Sequence, residues 1–124
     1  MARILLAEDE VSVRAFVTRT LESRDHEVTA VENGSQALEA PETASFDLLL
    51  TDIVMPQLDG IALALKVGKE FPALPIVLMT GYTAERERAH NLDALVHEVI
   101  GKPFSLAEIC DAIDAALAAP HPQA

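Results

Sequence analysis

The chain of 124 residues has no tryptophan, one tyrosine and a single cysteine. With Cys110 alone, an intrachain disulfide cannot form, and neither can a cysteine-based zinc site. Aromatics make up 4% of the residues, so aliphatic side chains must fill whatever core forms. Cations are scarce as well: nine Lys and Arg stand against twenty Asp and Glu, for a net charge of −11. A surface of that sign repels phosphate, which argues against direct nucleic-acid or anionic-membrane contact and favours basic partner surfaces. No hydrophobic run approaches the roughly 20 residues of a membrane-spanning helix. The N-terminus carries one Arg before the short run Ile4–Ala7, too little for a signal peptide, so a cytoplasmic protein without membrane insertion is expected. Half of the residues are apolar. The length suits one domain, and an output domain is not expected beside it.

What the chain does have is alternation. Short apolar runs at Ile4–Ala7, Val28–Val31, Leu48–Thr51, Ile76–Thr80 and Leu95–Ile100 read as strands. Between them lie segments with helical spacing. In the first, Val13, Phe16, Val17, Thr20 and Leu21 share a face, and in the last, Leu106, Ile109, Ile113 and Leu117 do the same. Ser105 and Glu108 open that last helix as a capping box. Alternating strands and helices imply a parallel sheet covered on both faces, a three-layer α/β sandwich. One domain is expected over residues 1–118, with the Pro-rich 119–124 as a flexible tail. Pro41 is expected to end a short second helix, leaving Glu42–Ser45 as a loop.

The chemistry gathers where strands end. The run LLLTDIVMPQLDG stops on Asp52, and RILLAEDE stops on Glu8 and Asp9. The fourth strand ends on Thr80, and Lys102 follows the fifth. In a parallel sheet these ends share one edge, where open α/β sheets place their ligands. Clustered carboxylates repel one another unless a cation neutralises them or their pKa values rise, and a divalent metal is the simplest remedy. Mg²⁺, which seeks oxygen ligands, suits the acids. Lys102 and the metal would offset phosphoryl charge, Thr80 would donate to a phosphoryl oxygen, and Asp52 would be the nucleophile. Each piece alone has a blander reading, as a turn, a cap or a loop; the ordered set is what is specific.

From Arg3 to Leu117 the chain resembles the receiver domains of two-component response regulators (CheY-like). The motifs AEDE, LLLTDIVMPQLDG, MTGY and GKPF carry the likeness and stand in family order. The resemblance implies a flavodoxin-like strand order 2-1-3-4-5, with Asp52 as phosphoacceptor. It implies Mg²⁺ on Asp9, Asp52 and the main-chain carbonyl of Val54, with Glu8 acting through water. It also makes Lys102 the phosphoryl partner, Thr80 the switch hydroxyl, and a histidine kinase or histidine phosphotransfer protein the donor. Two positions depart from the pattern. Glu8 replaces a common aspartate, and Val99 stands where the fifth strand often carries an aromatic switch; Tyr82 is an alternative aromatic element. Val54 and Tyr82 should border the path of a water attacking the aspartyl phosphate, and neither orients it well, so slow dephosphorylation is expected.

RILLAED, HEVTA, LLLTDIVMP, TGY and KPF are also similar to the CpdR-type single-domain regulators. That likeness implies a phosphorylation-gated adaptor for the ClpXP protease in cell-cycle control. The alternatives are weaker. A hydrolase of the haloacid-dehalogenase type also uses Asp, Mg²⁺, Thr and Lys, but it needs a second Asp where Val54 stands. A nucleotide binder needs a glycine-rich phosphate loop, and neither G-x-G-x-x-G nor G-x-x-x-x-G-K-[ST] occurs. Receivers assist their own phosphorylation, yet the protein is not expected to be an enzyme. His26, His90 and His97 have no metal-ligand spacing. Glu85–Arg88 reads as a solvated helix face, and Cys110 as a small packed residue.

Overall fold

A computed structural model describes residues 2–43, 46–55, 59–80, 98–101 and 105–118. Five strands, β1 (Arg3–Ala7), β2 (Glu27–Val31), β3 (Leu48–Asp52), β4 (Ile76–Thr80) and β5 (Glu98–Gly101), form one sheet in the order β2-β1-β3-β4-β5. All four pairings are parallel. The described helices are α1 (Val11–Glu22), α2 (Gly34–Thr43), α3 (Gly60–Glu70) and α4 (Leu106–Ala118). This is the expected three-layer sandwich in flavodoxin-like order.

Side chains of each inner strand alternate between two cores. Ile4, Leu6, Leu48, Leu50, Val77, Met79 and Ile100 pack with Val17 and Leu21 of α1 and Ile109 and Ile113 of α4. Leu5, Leu49, Ile76 and Leu78 pack with Ala37 of α2 and Ile61, Leu63, Ala64 and Val67 of α3. Burial on both faces explains why β3 and β4 read as unbroken apolar runs, since every residue in them is buried. The edge strand β2 mixes exposed and half-buried residues instead, with none fully buried. Cys110 sits in the α1/α4 core as a small packed residue.

The capping box of α4 is present in both directions. The Glu108 N–H donates to Ser105 Oγ at 3.1 Å, and the Ser105 N–H donates to Glu108 Oε1 at 3.1 Å.

Two local expectations are corrected. The backbone stays helical past Pro41 to Thr43. Proline removes one helical N–H and crowds one carbonyl, but its fixed φ is itself helical, so a helix can run on for the two residues of a final half-turn. Glu42 and Thr43 are thus helix, not loop. Phe16 is 38% exposed. The apolar stripe of α1 is centred on Val13, Val17, Thr20 and Leu21, and Phe16 lies at its margin. Residues 95–97 of the expected run Leu95–Ile100, the expected helix face Glu85–Arg88 and the expected tail 119–124 fall outside the described residues.

The α1–β2 turn carries the one positive φ among the described non-glycine residues, Asp25 at 66°. The N–H of Asp25 donates to the Glu22 carbonyl at 3.0 Å and that of His26 to the Leu21 carbonyl at 3.2 Å, the pair of bonds that closes a helix through a left-handed residue. Glycine meets no Cβ penalty there, though it gains unfolded-state entropy. Asp25→Gly is expected to stabilise the fold by about 0.5 kcal/mol in urea denaturation; a loss of stability would contradict this reading of the turn.

Candidate functional site

The site is assembled by strand ends. β1 stops at Ala7, and the next residue, Glu8, is 0% exposed. Its N–H donates to the Val31 carbonyl at 3.1 Å, bonding the loop to the end of β2. The Glu10 N–H donates to Glu8 Oε2 at 3.0 Å. A buried carboxylate needs such donors, because leaving it without hydrogen bonds is costly. Asp9 is exposed.

Asp52 is the last residue of β3 and lies opposite Met79 of β4. Its residue is 6% exposed. Two hydrogen bonds hold the chain just beyond it: the Ile53 N–H donates to the Met79 carbonyl at 3.0 Å, and the Gly60 N–H to the Ile53 carbonyl at 2.7 Å. Thr51 Oγ1 donates to the Asp52 carbonyl at 3.0 Å. The start of α3 then closes over this segment. Asp59 caps the helix by accepting from the Ala62 N–H at 2.8 Å. A Cβ on Gly60 would stand 2.1 Å from the Asp52 carbonyl oxygen and 2.8 Å from the Ile53 Cα. Only glycine allows that approach.

Carboxylate oxygens of Glu8, Asp9 and Asp52 all lie within 4.8 Å of one another. One acid is fully buried, one nearly so, and one open to solvent. Three hard oxygen donors at that separation, on a rim with an open side, fit a divalent cation that keeps part of its water shell. Thr80, the last residue of β4, is buried beside this edge and lies opposite Gly101 of β5. Val54 follows Asp52 by two residues and is 47% exposed. Val99 pairs with Leu78 and rests, partly buried, against the core beneath α2 and α3. Glu8, Asp9, Asp52 and Thr80 therefore share one edge, and Val99 stands on the neighbouring edge strand β5. Lys102 and Tyr82 lie outside the described residues.

Two contacts have no signal in the spacing of residues along the chain. Gly60 looks like half of a turn, yet its lack of a side chain is what lets α3 sit against the Asp52 main chain. Arg14 lies within a helix and carries no motif signal, yet its Nη1 donates to the Glu8 carbonyl at 2.9 Å. Both contacts are tertiary, and no spacing rule along the chain reports them.

Parallel strands thus deliver three acids and a hydroxyl to one carboxyl edge of an α/β sandwich, the place where open sheets hold their ligands. The chain belongs to the response regulator receiver domain family, whose model matches residues 4–114, and it is a receiver domain of two-component signalling. It is 40% identical over 119 residues to the response regulator receiver protein CpdR of Brucella abortus, covering 96% of this chain and 99% of that one. It is 38% identical to the transcriptional activator PfeR of Pseudomonas aeruginosa, of which it spans 37% of the length. Among solved structures, the response regulator TrrA of Thermotoga maritima, in complex with Mg²⁺-BeF, superposes with a TM-score of 0.87 at 28% identity. That match covers 94% of this chain and all of TrrA. Receivers are signalling domains that interact with histidine kinases or phosphotransfer proteins. Among the described residues, no helix is long and apolar enough to cross a membrane.

Proposed function

We propose that this protein accepts one phosphoryl group on Asp52, in a reaction that needs Mg²⁺, and thereby switches a protein-binding surface. The observation that carries the proposal is the gathering of Glu8, Asp9 and Asp52 within 4.8 Å at the edge where Thr80 also ends its strand. An oxygen of the Asp52 carboxylate attacks phosphorus in line. The P–N bond of a phosphohistidine donor, or the P–O bond of a small acyl phosphate, breaks, and its electron pair leaves with the donor group. Bound Mg²⁺ would supply charge neutralisation for the transferred oxygens. Asp9, Asp52 and the Val54 carbonyl hold it in this reading, with Glu8 acting through water. The buried Thr80 hydroxyl donates to a phosphoryl oxygen and Lys102 pairs with another. The phosphoryl group shifts the balance between two surface states because it binds one better than the other.

The likeness to CpdR across nearly the full length of both chains supports a finer reading. The protein acts in the cytoplasm as an adaptor whose engagement of the ClpXP protease is gated by phosphorylation, with residues 1–118 as the receiver and 119–124 as a tail. The test is transfer from a phosphorylated histidine phosphotransfer protein, followed by binding to the ClpX subunit before and after transfer. The donor is expected to lose label as this chain gains it, and affinity for ClpX to change. Transfer with unchanged ClpX binding would leave the receiver reading and remove the adaptor reading.

The half-exposed Val54 side chain offers no polar atom to orient an attacking water. The acyl phosphate is therefore expected to be long-lived, and Val54→Asn to shorten its lifetime roughly tenfold, below the ~10²–10⁴ of a positioned general base. Loss of phosphoryl label over time measures this, and an unaltered lifetime contradicts it.

A further inference from the structure

We infer that Arg14 is a positioning residue for the acid pair, acting through main chain rather than through charge; this rests on the reading of Glu8, Asp9 and Asp52 as a metal site. Arg14 projects from the first turn of α1, and its side chain is 18% exposed. Its Nη1 donates to the Glu8 carbonyl at 2.9 Å, and its Nη2 stands 3.8 Å from Glu32 Oε1.

The first contact is the informative one. The Glu8 carbonyl belongs to the peptide that joins Glu8 to Asp9, so turning that peptide swings both carboxylates. The peptide on the other side of Glu8 is fastened already, its N–H bonded to the Val31 carbonyl at 3.1 Å. Arg14 fastens the second. A largely buried guanidinium on a carbonyl is a charge-assisted bond of fixed fork geometry.

Glu32 supplies the other anchor, and its own turn is ordered. The Glu32 N–H donates to Gln36 Oε1 at 2.8 Å, and the Gln36 N–H to Asn33 Oδ1 at 2.9 Å. The ion pair itself is long and half in water, so it orients the guanidinium more than it stabilises the fold. The cap of α2, Glu32, Arg14 and the Glu8–Asp9 peptide thus form one strap, which sets where two of the three acids stand.

Charge and position predict opposite signs. A cation near three acids repels Mg²⁺, so on Coulomb grounds alone its removal tightens metal binding. If Arg14 holds the peptide, removal loosens binding, since groups that orient ligands typically govern metal affinity by ~10–100-fold. The measurement is the Kd of Mn²⁺, used as the probe in place of Mg²⁺, by electron paramagnetic resonance on the 124-residue chain. Arg14→Gln is expected to weaken Mn²⁺ roughly tenfold. Arg14→Lys, which keeps one donor for the carbonyl, is expected to recover most of that loss. At saturating metal the rate of phosphorylation by acetyl phosphate in Arg14→Gln should return to within about twofold of wild type, because Arg14 touches no reacting atom.

Affinity that is unchanged or tighter in Arg14→Gln overturns the inference. Should that variant fail to fold, Glu32→Asp, on an exposed side chain, keeps the charge but withdraws the anchor from Arg14, so Coulomb predicts no change and the strap a loss of roughly threefold; unchanged or tighter binding overturns it there. Wild-type protein that binds no Mn²⁺ defeats the metal-site reading itself, a result distinct from either.

Discussion

Asp52→Asn is expected to give a folded protein that takes up no phosphoryl group from any donor and is more stable than wild type when divalent metal is absent. The amide keeps the shape of the carboxylate but has no anionic oxygen to attack phosphorus. The stability gain follows from the crowding of the acids. Three carboxylates stand within 4.8 Å, and the residue replaced is 6% exposed, so solvent screens its repulsion poorly. Removing one of these charges is expected to add about 1–2 kcal/mol to the unfolding free energy in chelator. Metal should invert the order. A ligand at about 100 times its Kd adds about 2.7 kcal/mol to a site that binds it, and wild type holds all three acids. Urea denaturation with and without Mg²⁺ measures both effects. A mutant less stable than wild type in chelator would mean that Asp52 is held chiefly by hydrogen bonds and that the strain assigned to the cluster is absent. Active sites commonly trade stability for function in this way.

The second large effect is expected at Gly60. A methyl group there would stand 2.1 Å from the Asp52 carbonyl oxygen and 2.8 Å from the Ile53 Cα, and both are backbone atoms. Neither can rotate away as a flexible side chain can. Either α3 retreats, breaking the 2.7 Å bond from the Gly60 N–H to the Ile53 carbonyl, or the end of β3 moves. Gly60→Ala is expected to lower stability by about 2–3 kcal/mol, the range of an overpacked core. It is also expected to slow phosphorylation of the surviving folded protein by roughly 100-fold, because a shift of about 1 Å in a reacting group has that effect. Denaturation and single-turnover phosphorylation test the two halves separately. Wild-type stability in Gly60→Ala would mean that α3 can slide at no cost. Wild-type phosphorylation in a destabilised variant would free the position of Asp52 from α3.

These two residues also illustrate what the sequence could and could not disclose. Asp52, Glu8, Asp9 and Thr80 were legible because each ends an apolar run, and parallel topology brings such ends to one edge. The parallel sheet and its double burial needed only the alternation of runs and helical spacings, whereas the strand order followed from the family resemblance. Where the reading failed, the cause is local or tertiary. Pro41 was weighed by its average effect inside a helix, yet near a C-terminus the missing bond ends little. Phe16 was assigned to a stripe by spacing, whereas the margin of a stripe is decided by how far the neighbouring layer reaches. Val99 could be recognised as a departure from a pattern, but its rest against the α2/α3 core is a matter of packing. The contact of Arg14 with Glu8 joins residues six apart across a strand end and a helix start, which no periodicity predicts.

The central claim is a Mg²⁺-dependent acyl phosphate on Asp52, and intact-mass spectrometry after incubation with acetyl phosphate tests it most directly. In wild type with Mg²⁺, the mass should rise by one phosphoryl group. The gain should vanish with chelator, with hydroxylamine and in Asp52→Asn. A folded, metal-loaded wild type that gains no phosphoryl group from acetyl phosphate or from a phosphorylated histidine phosphotransfer protein would contradict the account.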